Sequence, residues 1–242
     1  MLKKIIAGWG IALIASTANA VEVLTNGDFE TGDLSGWSAS GGGTTGTCPN
    51  ENRTWNVGGD GSATGCNDPG LPPQGTYAAY NMFDGGTPSA PVAYQLSQSV
   101  SVPSGVSAAT LSWSQSVVAS FSGAPRVLAV EITNAAGDTI LDTIRSTDYL
   151  GSESTGWTSE TEDLTANLAA LEGQTVNLRF SVYISENWTG PAGLGLDSVS
   201  LDITAAPQSP PAPVPTMSLY GLLATALGII FLATPRLRRH FK

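Results

Sequence analysis

The chain has 242 residues and a formal net charge of −10, with 10 Lys and Arg against 20 Asp and Glu. All 20 carboxylates lie between Glu22 and Asp202, where four arginines and no lysine accompany them, so this stretch has a formal charge of −16. Such a charge repels nucleic acids and anionic lipid headgroups, which excludes nucleic-acid binding and suits divalent cations or neutral and cationic partners.

The first twenty residues have the three parts of a secretory signal peptide. Lys3 and Lys4 form a basic start, the stretch from Ile5 to Ala15 is apolar, and Ala18-Asn19-Ala20 supplies small residues for signal peptidase. We therefore expect export of the protein, with residues 1–20 removed by cleavage between Ala20 and Val21.

The segment from residue 21 to 204 has about 185 residues, enough for one domain with a complete core. Apolar and polar residues alternate with a period of two, and Gly, Ser, Asn and Asp separate the runs, which predicts an antiparallel β-sandwich. One segment, Leu164–Leu171, is helix-like, and Ala135–Asp138 is typical of a hairpin turn. The predicted strands are Val21–Leu24, Tyr77–Met82, Val92–Val102, Ala108–Ala119, Arg126–Asn134, Thr139–Arg145, Gly156–Asp163, Thr175–Ile184 and Leu194–Ile203.

The stretch from Ser38 to Gly75 lacks this alternation and is predicted to be a long loop. Cys48 and Cys66 lie within it, and an even number of cysteines in an exported segment favours a disulfide between them. Trp55 lies between the cysteines, and two roles are open for it: contact with a ligand, or a plug that packs its own loop.

A membrane tether is predicted after the domain. Ala205–Pro215 is a Pro-rich, extended spacer. Within the final segment, residues 216–242, Met217–Thr234 carries no charge and its length of about 18 residues is near the lower limit for crossing a bilayer. The basic residues that follow would stay in the cytoplasm, so the domain would lie outside the inner membrane.

Several catalytic chemistries are excluded from the domain by composition. The single histidine, His240, lies beyond the predicted membrane segment, which removes Ser-His-Asp hydrolysis, His general-base catalysis and histidine zinc sites. The absence of lysine removes Schiff-base and Ser-Lys chemistry. Carboxylates remain as acid–base groups, and a glycan hydrolase would need two of them across a cleft. We expect a protein that is not an enzyme.

Four stretches resemble galactose-binding-like jelly rolls, the β-sandwich type of many carbohydrate-binding modules. Asn26–Trp37 resembles the opening strand and loop of that fold, whereas Gly156-Trp157, Gly173–Phe180 and Gly195–Leu201 resemble its last three strands. The resemblance covers the two ends of the domain and implies a jelly-roll sandwich. It specifies a ligand poorly, because the same sandwich serves in accessory modules of enzymes, adhesins and matrix proteins.

Asn26, Asp28 and Glu30 place three oxygen-bearing side chains on one side if this segment is extended. Calcium takes six to eight oxygen ligands, among them carboxylates and backbone carbonyls. The jelly-roll resemblance implies a calcium site between the first and last strands, where Asp197 lies. Asp28, Glu30 and Asp197 are therefore the candidate ligands of a structural calcium ion, and the alternative for Asp28 and Glu30 is a solvated or turn-capping role.

Two tryptophans are the candidate glycan contacts. Trp55 and Trp188 lie in loops beside asparagines, whereas Trp37, Trp113 and Trp157 lie in apolar or strand contexts and are predicted to belong to the core. A single exposed aromatic residue needs no functional explanation, so surface packing is the alternative for both loop tryptophans.

The end of the chain resembles the IPTL-CTERM type of sorting signal. Val214-Pro215-Thr216-Met217 precedes the apolar segment, and Arg236–Arg239 follows it. Val214 and Met217 stand where the family usually has Ile and Leu. The resemblance implies a membrane-embedded sorting enzyme as a partner, with processing near the motif and delivery to the cell surface.

These observations together predict an exported, membrane-tethered or processed surface protein whose sandwich recognises an extracellular glycan or another surface molecule. Two alternatives remain open: a structural envelope or biofilm-matrix component without a discrete ligand, and a carboxylate-based glycan hydrolase.

Overall fold

The computed structural model describes residues 19–41, 54–59, 67–83, 92–184 and 190–206. The chain divides into two compact units, Met1–Pro207 and Gln208–Lys242, and every described residue belongs to the first. Several predicted features lie outside the described residues: the signal peptide before Asn19, Cys48 and Cys66, Trp188, the linker from Pro207 onward, and the sorting motif from Val214 to Met217 with the segment that follows it.

Strands are almost the only regular secondary structure in the described chain. One short helix, α1 (Thr165–Ala169), accompanies them. The strands are β1 (Ala20–Glu22), β2 (Ser38–Gly41), β3 (Asn56–Gly58), β4 (Ala78–Phe83), β5 (Val92–Ser101), β6 (Val106–Ala119), β7 (Arg126–Asn134), β8 (Ile140–Tyr149), β9 (Glu153–Asp163), β10 (Thr175–Ile184) and β11 (Ala192–Ala205).

The strands form two antiparallel sheets that face each other. Sheet A has the order β3-β4-β11-β6-β9, and β1 pairs with the final part of β11. Sheet B has the order β2-β5-β10-β7-β8. This architecture confirms the all-β, two-sheet antiparallel sandwich that the alternation of residues predicted.

The core lies between the sheets because one side of each long strand is apolar. In β10 the residues Val176, Leu178, Phe180, Val182 and Ile184 point inward and are buried. The residues between them are polar or aromatic and belong to the opposite face, as the period of two in a strand requires. Burying each of these side chains stabilises the fold by about 1.5–3 kcal/mol relative to leaving it exposed.

Aromatic rings connect the two sheets at the centre of the core. Phe29 lies 5.6 Å from Trp37, and Phe180 lies 6.4 Å from Trp37 and 5.8 Å from Trp113, between ring centroids. The core positions predicted for Trp37 and Trp113 are therefore confirmed. Trp157 differs, because it packs on Gly195 at the outer side of sheet A, 6.4 Å from the ring of Tyr80.

The predicted elements agree closely with the observed ones, with two exceptions in the stretch predicted as a loop. Strands β2 and β3 lie there and pair with β5 and β4. The hairpin turn is confirmed: Gly137 N–H donates to Asn134 O at 2.9 Å, and β7 pairs with β8. No helix within the described ranges is long and apolar enough to cross a membrane.

Candidate functional site

The first feature with functional chemistry is a break in the pairing of β11. Its first half pairs with β4 and its end pairs with β1, and between Asp197 and Ser200 its register with β6 shifts. The backbone of Gly27 lies against β11 at this break, and Val199 N–H donates to Gly27 O at 2.8 Å. A Cβ on Gly27 would lie 1.8 Å from Val199 O, so the approach requires glycine. We call Gly27, Asp28, Glu30 and Asp197–Val199 the acidic junction.

The backbone of the acidic junction is strained. Asn26, Phe29 and Ser198 have φ values of 51°, 55° and 51°, and they are three of the four non-glycine residues with positive φ in the part of the chain that the structure describes. Such conformations cost of the order of 1–3 kcal/mol each and cluster where a ligand or switch is built.

The predicted extended strand over Asn26, Asp28 and Glu30 is wrong. Residues 25–36 form a series of turns, because side chains such as Asn26 and Asp33 bind the backbone of their own loop. Asn26 donates to the carbonyl oxygens of Asp33 and Ser35, at 3.0 and 3.1 Å. The three side chains therefore do not share one strand face, and Phe29 between them is fully buried.

Asp197 is the buried charge of the acidic junction, with 1% of its surface exposed. Its Oδ1 accepts a hydrogen bond from Ser198 N–H at 2.6 Å, whereas its Oδ2 is buried without a partner. Burial raises the pKa of Asp197 to about 6, and the charges of Glu30 and Asp28 add to the rise, whereas the backbone amides of Ser198 and Gln74 oppose it. The structure thus brings the three candidate ligands into one electrostatic neighbourhood.

The other two carboxylates of the junction have protein partners. Glu30 Oε1 accepts from Thr76 N–H at 2.7 Å and from Tyr77 N–H at 2.9 Å, and Asp28 Oδ1 accepts from Glu30 N–H at 3.3 Å. Among the described residues, no group of three Asp, Glu, His or Cys side chains is placed to hold a metal ion. Asp197 Oδ2 is a buried carboxylate oxygen without a hydrogen-bond partner, and carboxylate oxygens are among the ligands that calcium takes.

The second feature is a groove on the solvent side of sheet B, which we call the sheet-face groove. Its volume is about 290 Å3. Strands β2, β5, β7 and β10 supply most of its surface, and the hairpin turn after β7 closes one end. The lining residues are Ser38, Ser40, Gln95, Ser97, Thr133, Ala135, Ala136, Gly137, Asn177 and Arg179.

A buried ion pair lies under this groove. Arg179 Nε donates to Glu131 Oε2 at 2.9 Å, with 7% and 3% of the two side chains exposed. Ser181 Oγ donates to the same oxygen at 2.9 Å, and Tyr183 OH donates to Glu131 Oε1 at 2.9 Å. Burial raises the pKa of Tyr183, and the adjacent Glu131 carboxylate acts in the same direction. These four side chains share the outer face of two neighbouring strands, β7 and β10.

Trp55, one of the two predicted ligand contacts, does not present a ring to solvent. It is 2% exposed and belongs to the core, so the structure favours the packing role over the ligand role. The reason is that Asn56 pairs with Tyr80 across β3 and β4, which turns the preceding residue toward the core. Trp188 lies in residues 185–189, outside the described ranges.

The sheet-face groove was not predicted from the sequence. Its signal was present in β10, where Asn177, Arg179, Ser181 and Tyr183 alternate with apolar residues. That alternation predicts a polar outer face, but it does not reveal that Glu131, 48 residues from Arg179, lies opposite it.

No protein-family model matches the chain, and no curated protein matches it. Among solved structures, a carbohydrate-binding module in complex with β-1,4-galactotriose has 20% identity and a TM-score of 0.44, covering 75% of this chain and 97% of the other. A structure of promiscuous carbohydrate-binding modules from the β-sandwich superfamily has 13% identity and a TM-score of 0.45, covering 77% and 63%. The adhesin domain of Lys-gingipain from Porphyromonas gingivalis W83 has 16% identity and a TM-score of 0.43, covering 79% and 100%. Similarity at this level does not assign a ligand.

Proposed function

We propose that this chain is an exported surface protein whose jelly-roll domain recognises an extracellular glycan in the sheet-face groove. The observation that carries the proposal is the groove itself: hydroxyl, amide and backbone groups from four strands and one turn surround a single concave surface. Sugars present many hydroxyl groups, and such ligands are oriented by a small number of placed donors and acceptors.

The groove is suited to recognition because its side chains start from strands. Gln95 and Ser97 alternate on β5, where each faces the same side, and Ser40 Oγ donates to Gln95 Oε1 at 3.2 Å. Groups held by a sheet lose little conformational freedom when a ligand binds, which favours affinity. The groove volume of about 290 Å3 lies just below the range of about 300–1,000 Å3 for ligand sites, which suits a short segment of a glycan.

We also propose the export and tethering route that the chain termini suggest. The signal peptide of residues 1–20 would be cleaved before Val21, and the Pro-rich linker of residues 205–215 would separate the domain from a membrane segment at 217–234. The motif Val214–Met217 would be read by a membrane sorting enzyme, which delivers the domain to the surface.

A structural calcium ion at the acidic junction is part of the proposal. Asp197 would be its buried carboxylate ligand, with backbone carbonyl oxygens around the break in β11 and the charges of Asp28 and Glu30 nearby. Bound calcium supplies positive charge and joins the Gly27–Glu30 loop to the last strand. This role stabilises the domain and leaves recognition to the sheet-face groove.

The full chain is expressed in cells that export proteins and form disulfides, and it is purified in detergent. The test is its binding to a panel of extracellular polysaccharides. Saturable binding should weaken about tenfold in Gln95→Ala and about threefold in Ser97→Ala, as expected for lost hydrogen bonds of about 0.5–1.5 kcal/mol each. Ser99→Ala is the matched control, because Ser99 lies on the same strand and face but does not line the groove; its affinity should not change.

The remaining outcomes identify the alternatives. A folded protein that binds no polysaccharide would favour a matrix component without a discrete ligand. Release of new reducing ends from a bound polysaccharide would indicate a carboxylate-based hydrolase. Equal affinity of Gln95→Ala and the wild type would place the glycan on another surface.

A further inference from the structure

We propose that the sheet-face groove selects glycans without charge, and that Glu131 determines this selectivity by holding Arg179. The proposal rests on the proposed glycan-binding function and names the ligand class of the same groove. It predicts that sugars bearing carboxylates and sugars bearing amines are both rejected, although for different reasons.

Arg179 is the one charged side chain among the residues that line the groove in the described ranges. Left unpaired, a guanidinium in such a place would bind carboxylates through two parallel hydrogen bonds. Two of its three nitrogens donate inside the protein: Nε donates to Glu131 Oε2 at 2.9 Å, and Nη1 donates to Gly137 O at 2.8 Å. An incoming uronate would therefore meet a guanidinium whose positive charge is already offset by the buried Glu131 carboxylate.

Glu131 is equally closed to an amine. Both of its oxygens accept hydrogen bonds, Oε1 from Tyr183 and Oε2 from Arg179, Ser181 and Tyr183, at 2.9–3.2 Å. Its side chain is 3% exposed, so an ammonium group would have to lose its hydration to approach a carboxylate that already has a counter-charge. The Arg179–Glu131 ion pair therefore lies at the bottom of the groove and contributes no net charge to it.

Arginines elsewhere in the described chain offer no second anion site. Arg145 pairs with Glu160 at 2.7 Å and with Glu162 at 3.2 Å. Arg126 is fully buried, donates to Gly190 O at 3.1 Å and lies 4.5 Å from the ring centroid of Phe121. At longer range, the formal charge of −16 between residues 21 and 204 repels polyanions.

Glu131 is thus a positioning residue that acts through Arg179. It disfavours the binding of charged sugars, while the hydroxyl and amide groups that line the sheet-face groove bind a neutral sugar. Specificity of this kind comes from a penalty on the wrong ligand as well as from contacts with the right one.

The experiment measures binding of the full chain in detergent to three oligosaccharide series of matched length: neutral hexose, polygalacturonate and glucosamine oligomers. The wild type should bind the neutral series at least about tenfold more tightly than either charged series. Its affinity for the neutral series should change less than about twofold between roughly 50 and 500 mM salt, because screening does not act on an uncharged ligand.

Glu131→Gln should gain at least about tenfold affinity for polygalacturonate, and that gain should decrease steeply with salt, since Arg179 becomes an unpaired cation. Loss of structure alone would not produce this change of ligand class. Glu160→Gln is the matched control, because it removes a carboxylate from Arg145, which still has Glu162 and does not line the groove; its preference should equal that of the wild type.

Each result supports or overturns the proposal. Wild-type binding of uronate or amine oligomers with equal or greater affinity than neutral ones overturns the selectivity and leaves glycan recognition standing. A folded Glu131→Gln protein without any gain for uronates overturns the role of Glu131. If that variant does not fold, the wild-type preference and its salt dependence decide whether the groove selects neutral glycans. Absence of binding to every series overturns the glycan function and this inference with it.

Discussion

The acidic junction and the ion pair under the sheet-face groove each bury a carboxylate, and they satisfy it in opposite ways. Glu131 accepts hydrogen bonds from Arg179, Ser181 and Tyr183 and has a cation beside it. Asp197 is 1% exposed and has one oxygen without a hydrogen-bond partner, and the negative charges of Glu30 and Asp28 raise its pKa further. The first carboxylate is balanced by a cation and three hydrogen-bond donors, whereas the described residues place no cation beside the second, so its ionised form is costly.

The comparison separates two uses of buried charge. A balanced pair holds its neighbours in one geometry and stays the same whether or not a ligand is present. An unbalanced carboxylate makes the fold depend on what it binds, because its ionised form is stabilised only when a cation arrives. Removing the carboxylate should therefore lower stability in the balanced pair and raise it at the acidic junction in chelator, and only the junction should respond to calcium.

The largest expected effect comes from breaking the balanced pair. Glu131→Gln leaves Arg179 buried without its counter-charge and should lower the free energy of unfolding by about 3–5 kcal/mol, measured by urea denaturation. The double variant Glu131→Gln/Arg179→Met should recover part of that loss, because neither charge remains. A loss below about 1 kcal/mol in the single variant would mean that the pair is solvated in solution.

Gly27→Ala should have the next largest effect, because the added Cβ would lie 1.8 Å from Val199 O and must push the loop away from β11. We expect a loss of about 3 kcal/mol, at the upper end of the range for overpacking, together with weaker calcium binding. Gly59→Ala is the control: its Cβ would lie 3.4 Å from Thr76 O, an ordinary contact. Equal stability of the two variants would contradict the close approach at the junction.

The unbalanced carboxylate of Asp197 should make the free energy of unfolding depend on pH when calcium is removed by a chelator. The folded-state pKa of Asp197 is raised from 3.8 to about 6, so between these values the folded state binds more protons than the unfolded state. Stability should therefore fall as the pH rises from about 4 to about 6, by up to about 3 kcal/mol for a shift of this size. Thermal denaturation across that range measures it.

The Asp197→Asn variant tests whether this pH dependence comes from Asp197. In chelator at neutral pH it should be more stable than the wild type, because the buried charge is gone, and the fall between about pH 4 and 6 should disappear. Calcium should raise the melting temperature of the wild type and leave that of the variant unchanged. A variant that still responds to calcium would move the ion away from Asp197.

The smallest effect is expected at a charged cluster outside both regions. Arg145 is 35% exposed and pairs with Glu160 and Glu162 between the edges of the two sheets. Because water screens it, Arg145→Gln should cost less than about 1 kcal/mol. A loss of several kcal/mol would show that exposure does not separate strong pairs from weak ones in this domain.

The amino-acid sequence by itself determined the long strands. The prediction Thr175–Ile184 coincides with β10, and Val92–Val102 exceeds β5 by one residue. Apolar residues alternate with a period of two in both strands, with Gln98 as the one polar residue on the buried side of β5. Strands β2 and β3 were missed, since they have four and three residues and form strands only because β5 and β4 offer them edges for pairing.

Only the tertiary structure decided the sites. The sequence shows that Asp28, Glu30 and Asp197 are carboxylates, but only the structure shows that Asp197 lies at the register shift in β11 and is buried with one oxygen unpartnered. Trp55 stands in a polar stretch and yet is buried, and Glu131 meets Arg179 only because β7 and β10 are neighbours in that register. Local alternation sets which residues point the same way along one strand, whereas the pairing of distant strands sets which charges meet.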